Sequence, residues 1–165
     1  MASAFDQRET IADLSREQGT AELIGGRIRR FAASGDLPSA TAGEIAFSLH
    51  THAHKTGHGK VYGGSIAYVV NELPSGRESF SPDASYYDGA PPANRMRFIK
   101  GFPRFAAEVR SENDYGPAAE LEMSAKRADY FAAGTEVVWD VDPEAETVAV
   151  YRATDPTHRY FIAGT

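Results

Sequence analysis

The chain of 165 residues is 42% hydrophobic and 24% charged, with a formal net charge of −6, a balance that fits one globular domain with a real core. It has no cysteine, which excludes disulfides and thiolate metal sites and leaves Asp, Glu, His and main-chain oxygen as possible ligands. No run approaches the roughly 18 apolar residues of a membrane helix, and the start, MASAFDQRETIADLSREQG, lacks the apolar stretch of a signal peptide; the expectation is a cytoplasmic protein with no membrane partner.

Residues 9–18 predict a short peripheral helix carrying Ile11 and Leu14. AELIGGRIRRFAA (21–33) reads as two strands hinged at Gly25-Gly26, and its second half carries the basic cluster Arg27, Arg29 and Arg30. Thr41 with Glu44 three residues later forms a capping-box pattern, so a helix is expected from there to Gly57. GKVYGGSIAYVVNEL gives one or two strands broken at Gly63-Gly64, and a short strand follows at Ala84–Tyr87. In the Pro/Gly-rich NRMRFIKGFPR, Arg95 and Arg97 alternate with Met96 and Phe98, as on a basic ribbon that also carries Lys100. RFAAEV is a compact apolar strand. Pro117 suits a helix's first turn, Leu121, Ala125, Ala128 and Ala132 recur on one face, and Gly134 closes that helix. EVVWDVD-PEAE-TVAVYR is a hairpin, and a last strand lies near His158–Ile162. With no internal repeat, the order predicts a single α+β domain over 1–165, a mixed central sheet flanked by helices, with an N-terminal and a C-terminal hairpin.

One residue stands out chemically. Glu108 interrupts an otherwise apolar strand, sharing a face with Ala106 and Arg110 while Phe105, Ala107 and Val109 share the other. A carboxylate in such a place needs a cation or a metal to offset its burial. Asp83, right after Ser-Pro, opens a strand upstream. Two carboxylates from neighbouring strands, with a main-chain carbonyl beside them, make the hard oxygen set that suits Mg²⁺, which can activate water and neutralise charge on a phosphate.

SPD at 81–83, AAEVRS at 106–111 and KRADYFAAGT with VVWDVDP at 126–143 resemble, in that order, the Uma-two family of restriction-endonuclease-like proteins. The resemblance runs from about Ala21 through Arg152. It implies the PD-(D/E)XK nuclease fold, a divalent metal (Mg²⁺ or Mn²⁺) and phosphodiester hydrolysis in nucleic acid, with DNA the expected substrate. Asp83 then corresponds to the motif's first acid and Glu108 to the second, with the Val109 carbonyl as a further metal ligand. Position 110 is Arg where the motif has lysine, and Lys126 on the following helix takes the lysine's place. Glu22 matches a glutamate near the family's N-terminus and is an auxiliary ligand. Arg110 could meet phosphate, and Arg95, Arg97 and Lys100 would hold the nucleic-acid backbone. The chain departs from the family in TAGEI, which has no histidine, and in ending at FIAGT. Small nuclease folds often pair symmetrically, so a homodimer is expected.

Plainer readings stand beside these. Asp83 could be a strand-entry cap, Glu108 could pair with Arg97 or Arg104, and Lys126 could pair with Glu122 at helical spacing. The fold could also be a degenerate nuclease that only binds nucleic acid or a protein. Finally, LHTHAHKTGH places His50, His52, His54 and His58 where a zinc-like metal could bind, although histidines at a solvated helix end have the same pattern.

Overall fold

The computed structural model describes residues 7–162. Along the chain run α1 (Ile11–Leu14), β1 (Ala21–Ile24), β2 (Arg27–Arg30), α2 (Asp36–Thr56), β3 (Lys60–Gly63), β4 (Tyr68–Val69) and β5 (Ser79–Phe80). They are followed by β6 (Ala84–Tyr87), β7 (Ile99–Lys100), β8 (Phe105–Val109), α3 (Pro117–Ala133), β9 (Val137–Asp142), β10 (Thr147–Arg152) and β11 (Asp155–Ile162). The α+β architecture expected from the sequence is the one observed. Residues 1–6 of the expected N-terminal segment and the last three residues of FIAGT lie outside the described residues.

Helix α1 is a single turn rather than the expected 9–18. Its capping box is complete, with the Thr10 N–H donating to the Asp13 carboxylate at 2.9 Å and the Asp13 N–H to the Thr10 hydroxyl at 3.3 Å. Leu14, 3% exposed, packs with Ala21, Leu23 and Ile28 under the β1–β2 hairpin. Gly25 and Gly26 both take positive φ, +59° and +72°, as a two-residue hairpin turn demands.

Helix α2 starts at Asp36, earlier than the Thr41 box suggested. The Thr41 hydroxyl instead donates to the Leu37 carbonyl at 2.8 Å from inside the helix. Gly57 ends the helix in the left-handed conformation, φ +65°, as expected.

The central sheet has the strand order β11-β10-β9-β8-β6-β3. Only β8 and β9 run parallel; the other neighbours are antiparallel. Helix α2 packs on β3, β6 and β8 from one side. On the α3 side lies a core of Tyr68, Phe80, Tyr87, Ile99, Ala106, Tyr130 and Val138, in which Phe80 stacks on Tyr130 at 4.2 Å. A small sheet, β5-β4-β7, contributes three of these residues.

Two expectations are corrected here. The stretch around Arg95 and Arg97 is a turn, closed by the Arg97 N–H donating to the Asn94 carbonyl at 3.0 Å, so no alternating ribbon forms before β7. Helix α3 has the expected ends, with Pro117 in its first turn and Gly134 (φ +115°) donating to the Phe131 and Tyr130 carbonyls, but it is turned over. Leu121 is 73% exposed, Ala125, Ala128 and Ala132 are exposed with it, and Asp129 and Tyr130 are buried. The small-residue stripe faces solvent because the opposite face carries an ionic network that must be desolvated as a unit.

Candidate active site

The parallel and antiparallel neighbours of β8 set the site. Ala84 pairs with Ala107, so the register carried one residue further puts Asp83 opposite Glu108. The connection is made through the main chain: the Asp83 N–H donates to the Ala107 carbonyl at 3.1 Å, and the Val109 N–H donates to the Asp83 carboxylate at 2.7 Å. The strand-entry carboxylate thus caps the end of β8 beside the second acid.

Across from this pair, α3 brings Lys126 inward. Its Nζ lies 2.9 Å from Glu108 Oε1 and 2.9 Å from Glu22 Oε1, bridging the two carboxylates. Neither Arg97 nor Arg104 pairs with Glu108: Arg97 is exposed in its turn, and Arg104 bonds Asp88 and Glu136. Glu122, the expected neighbour of Lys126, instead pairs with Arg29 at 2.6 Å.

Glu22 is the most enclosed of the set, 1% exposed. Its Oε2 accepts from Arg77 Nη1 at 2.6 Å, and its Oε1 also accepts the Ser81 N–H at 2.8 Å. Arg77 in turn donates through Nε to Asp129 at 2.8 Å, and its guanidinium lies over Phe80. Glu108 is more open, its side chain 23% exposed, and accepts from the Tyr130 hydroxyl at 2.6 Å. Four carboxylates, Glu22, Asp83, Glu108 and Asp129, therefore face two cations, Lys126 and Arg77.

The charge states follow from these partners. Burial pushes Glu108 up to about 7, an effect Lys126 opposes and Asp83 and Glu22 reinforce. Burial also raises Asp83, against the Val109 N–H. Burial alone would raise Glu22 too, but Lys126, Arg77 and the Ser81 N–H outweigh it and the net shift is down. Burial disfavours charge on Lys126, yet Glu108 and Glu22 dominate and raise it. It is a held cation.

Arg110 has another place. Its Nε and Nη2 grip Asp140 at 2.9 and 2.8 Å, and it also bonds Glu120. Arg127 meets the same Asp140 at 3.3 Å. The geometry ties α3 to β9 and leaves Arg110 no donor aimed at the Asp83–Glu108 edge. Arg95, Arg97 and Lys100 are exposed and take no part in either cluster. His50, His52, His54 and His58 are exposed, and among the described residues no three Asp, Glu or His side chains converge as a ready metal-ligating group.

Arg77, Asp129 and Tyr130 were missed by the sequence reading. The latter two lie three and four residues after Lys126, so helical spacing could have found them once Lys126 was turned inward. Arg77 sits after a turn with no local signal at all.

No helix among the described residues is long and apolar enough to cross a membrane. No curated protein matches the chain. A solved structure described as a putative nuclease of the DUF820 family, from Anabaena variabilis, is 19% identical with a TM-score of 0.71. The match covers 92% of this chain and 83% of that one, which establishes the shared fold. The sequence model of Uma2, described as "Putative restriction endonuclease", matches residues 4–161. The chain belongs to the Uma2 family.

Proposed function

We propose that the protein is a divalent-metal-dependent endonuclease that hydrolyses phosphodiester bonds in nucleic acid, DNA being the substrate to test first. The observation that carries this reading is the unbalanced cluster: Lys126 joins Glu22 to Glu108, Asp83 stands opposite Glu108, and four carboxylates face two cations.

That donor set fits Mg²⁺ or Mn²⁺. Asp83 and Glu108 offer hard oxygens from adjacent strands, and the Val109 carbonyl ends the same strand. Mg²⁺ is commonly held by one or two carboxylates while keeping waters and phosphate oxygens, so a third acidic side chain is not needed. When bound, such an ion supplies a lowered water pKa and neutralises charge on the phosphate. Lys126, held protonated, serves as a fixed donor to phosphate oxygen rather than as a base. Glu22 and Arg77 hold that ammonium and its carboxylates in position, and Tyr130 orients Glu108. Arg110 has no role in the reaction.

The test is calorimetric titration of Mn²⁺ or Mg²⁺ into wild type and Glu108→Ala, with plasmid nicking measured in parallel. Cation binding and nicking lost together in the variant support the assignment. Equal binding by both proteins ends the Asp83–Glu108 site, and binding without nicking by wild type favours a fold that has kept the ion and lost the chemistry.

A further inference from the structure

One aromatic side chain beside Lys126, that of Phe31, has no place in the chemistry above. Lys126 Nζ lies 6.0 Å from the centre of the Tyr130 ring and 5.8 Å from that of Phe31. Tyr130 is fully buried and forms the floor; Phe31 is 40% exposed and forms a rim.

The hairpin explains the placement. Glu22 pairs with Arg29 across β1 and β2, and the Phe31 N–H donates to the Thr20 carbonyl at 3.0 Å, which carries the same register one step further. Alternation puts Glu22, Arg29 and Phe31 on one face and Ala21, Leu23 and Ile28 on the other. Ala21, Leu23 and Ile28, each 8% exposed or less, pack inward, with Arg30 exposed at the end of that face, while on the first face Glu22 is enclosed at 1%. Phe31 thus follows Arg29 on the face of Glu22 and stays 40% exposed beside the enclosed carboxylate.

Its flank is cationic and adjustable. The Arg29 guanidinium lies 5.7 Å from the Phe31 ring centre, looser than Arg127 over Tyr151 at 4.1 Å. Arg29 is held by Glu122 in a pair whose side chains are 51% and 59% exposed, so little holds it there. A flat ring beside a movable guanidinium is how proteins seat an unpaired base, with the guanidinium stacking over it or meeting the next phosphate.

We propose that Phe31 is a stacking platform for an unpaired nucleobase adjacent to the phosphate that Lys126 contacts. Single-stranded or locally unpaired nucleic acid, DNA or RNA, is then the preferred substrate class. The inference rests on the nuclease reading for the role of Lys126 and adds the specificity element. A paired base inside a duplex cannot present its face to this ring; a single strand or a flipped nucleotide can.

The experiment measures binding without cleavage. A labelled short oligothymidylate and a blunt duplex of the same length are titrated, with Ca²⁺ in place of Mg²⁺, into wild type, Phe31→Ala, Phe31→Leu and Phe31→Trp. Stacking on one aromatic ring predicts that Phe31→Ala and Phe31→Leu each weaken single-strand binding roughly five- to hundred-fold. Phe31→Trp retains it, and its added fluorescence is quenched by the oligonucleotide. Duplex affinity changes little in all three, and circular dichroism reports that each variant is folded. Single-strand binding unchanged in Phe31→Ala, equal losses on duplex and single strand, or no binding by wild type overturns the platform. Cleavage in Mg²⁺ is read separately. Stacking without cleavage removes the nuclease reading and leaves the platform; cleavage with unchanged binding in Phe31→Ala does the reverse.

Discussion

Helix α3 joins the sheet through two charged clusters, each built around a buried carboxylate, Asp140 in one and Glu22 in the other. At one, Arg110 and Arg127 pair directly with Asp140 and Glu120, with Asp142 close enough to feel Arg110. At the other, Lys126 and Arg77 pair directly with Glu22, Glu108 and Asp129, Asp83 stands beside them, and burial, helped by the crowding of carboxylates, raises Glu108 to about 7. The second draws on Glu108 in β8 and the first on Arg110 just past its end, two residues away. A cluster whose charges pair off offsets its own desolvation and holds the helix, whereas carboxylates in excess are costly to bury unless they take up a proton or a cation. Lone carboxylates and arginines look the same in a sequence, so counting partners in the folded chain is what separates a clamp from a site.

The largest effect should come from breaking the clamp. Arg110→Met removes both close bonds to a carboxylate that is only 6% exposed, and Asp140 keeps just the longer Arg127 contact. Denaturant unfolding should show a loss of about 3 kcal/mol, while Mn²⁺ affinity of the folded variant stays at the wild-type value. A variant that keeps its stability and loses the ion would erase the distinction between the clusters.

A smaller change of opposite sign is expected at Glu108. Its pKa rises on folding from 4.5 to about 7, so the metal-free native state holds a proton that the unfolded chain has released. The stability associated with that proton is complete below pH 4.5, declines as the pH rises to about 7 and stays low above it. Glu108→Gln should flatten this slope and leave the metal-free protein about 1–3 kcal/mol more stable than wild type at pH 8, while Mn²⁺ binding is lost. Unfolding curves across that range, with and without the ion, check both halves; a wild-type slope that survives in the variant would mean that Glu108 is not the group responsible.

The smallest effect is on the outer face of α3. Leu121→Glu should shift stability by no more than about 0.5 kcal/mol, because the side chain it replaces is 73% exposed. A loss of several times that, by thermal melting, would mean that the small-residue stripe is covered after all.

Much of the outline was legible because local rules determine it. The Gly25-Gly26 turn needs positive φ at both residues, Pro117 and Gly134 mark helix ends through a missing N–H and a left-handed backbone, and Glu108 stands out against its apolar strand. Thr41 misled because a hydroxyl can return to a carbonyl inside a helix as readily as it caps one. The stripe on α3 misled for a deeper reason. Side-chain hydrophobicity predicts the buried face only where burial is apolar, and here Lys126, Asp129 and Tyr130 are turned inward by partners on distant elements.

By itself, then, the sequence determined the main strands and helices in order, the Gly25-Gly26 turn and the ends of α3, since each depends on neighbours within a few residues, and it singled out Asp83 and Glu108 as candidates. Only the tertiary structure decided that Lys126 bridges Glu22 and Glu108 and that Arg110 belongs to a clamp. It likewise set Phe31 at the open rim. Those assignments depend on which charges meet between residues 18 to 104 positions apart, and Coulomb attraction in a desolvated interior acts over distance in space, whatever the separation in sequence.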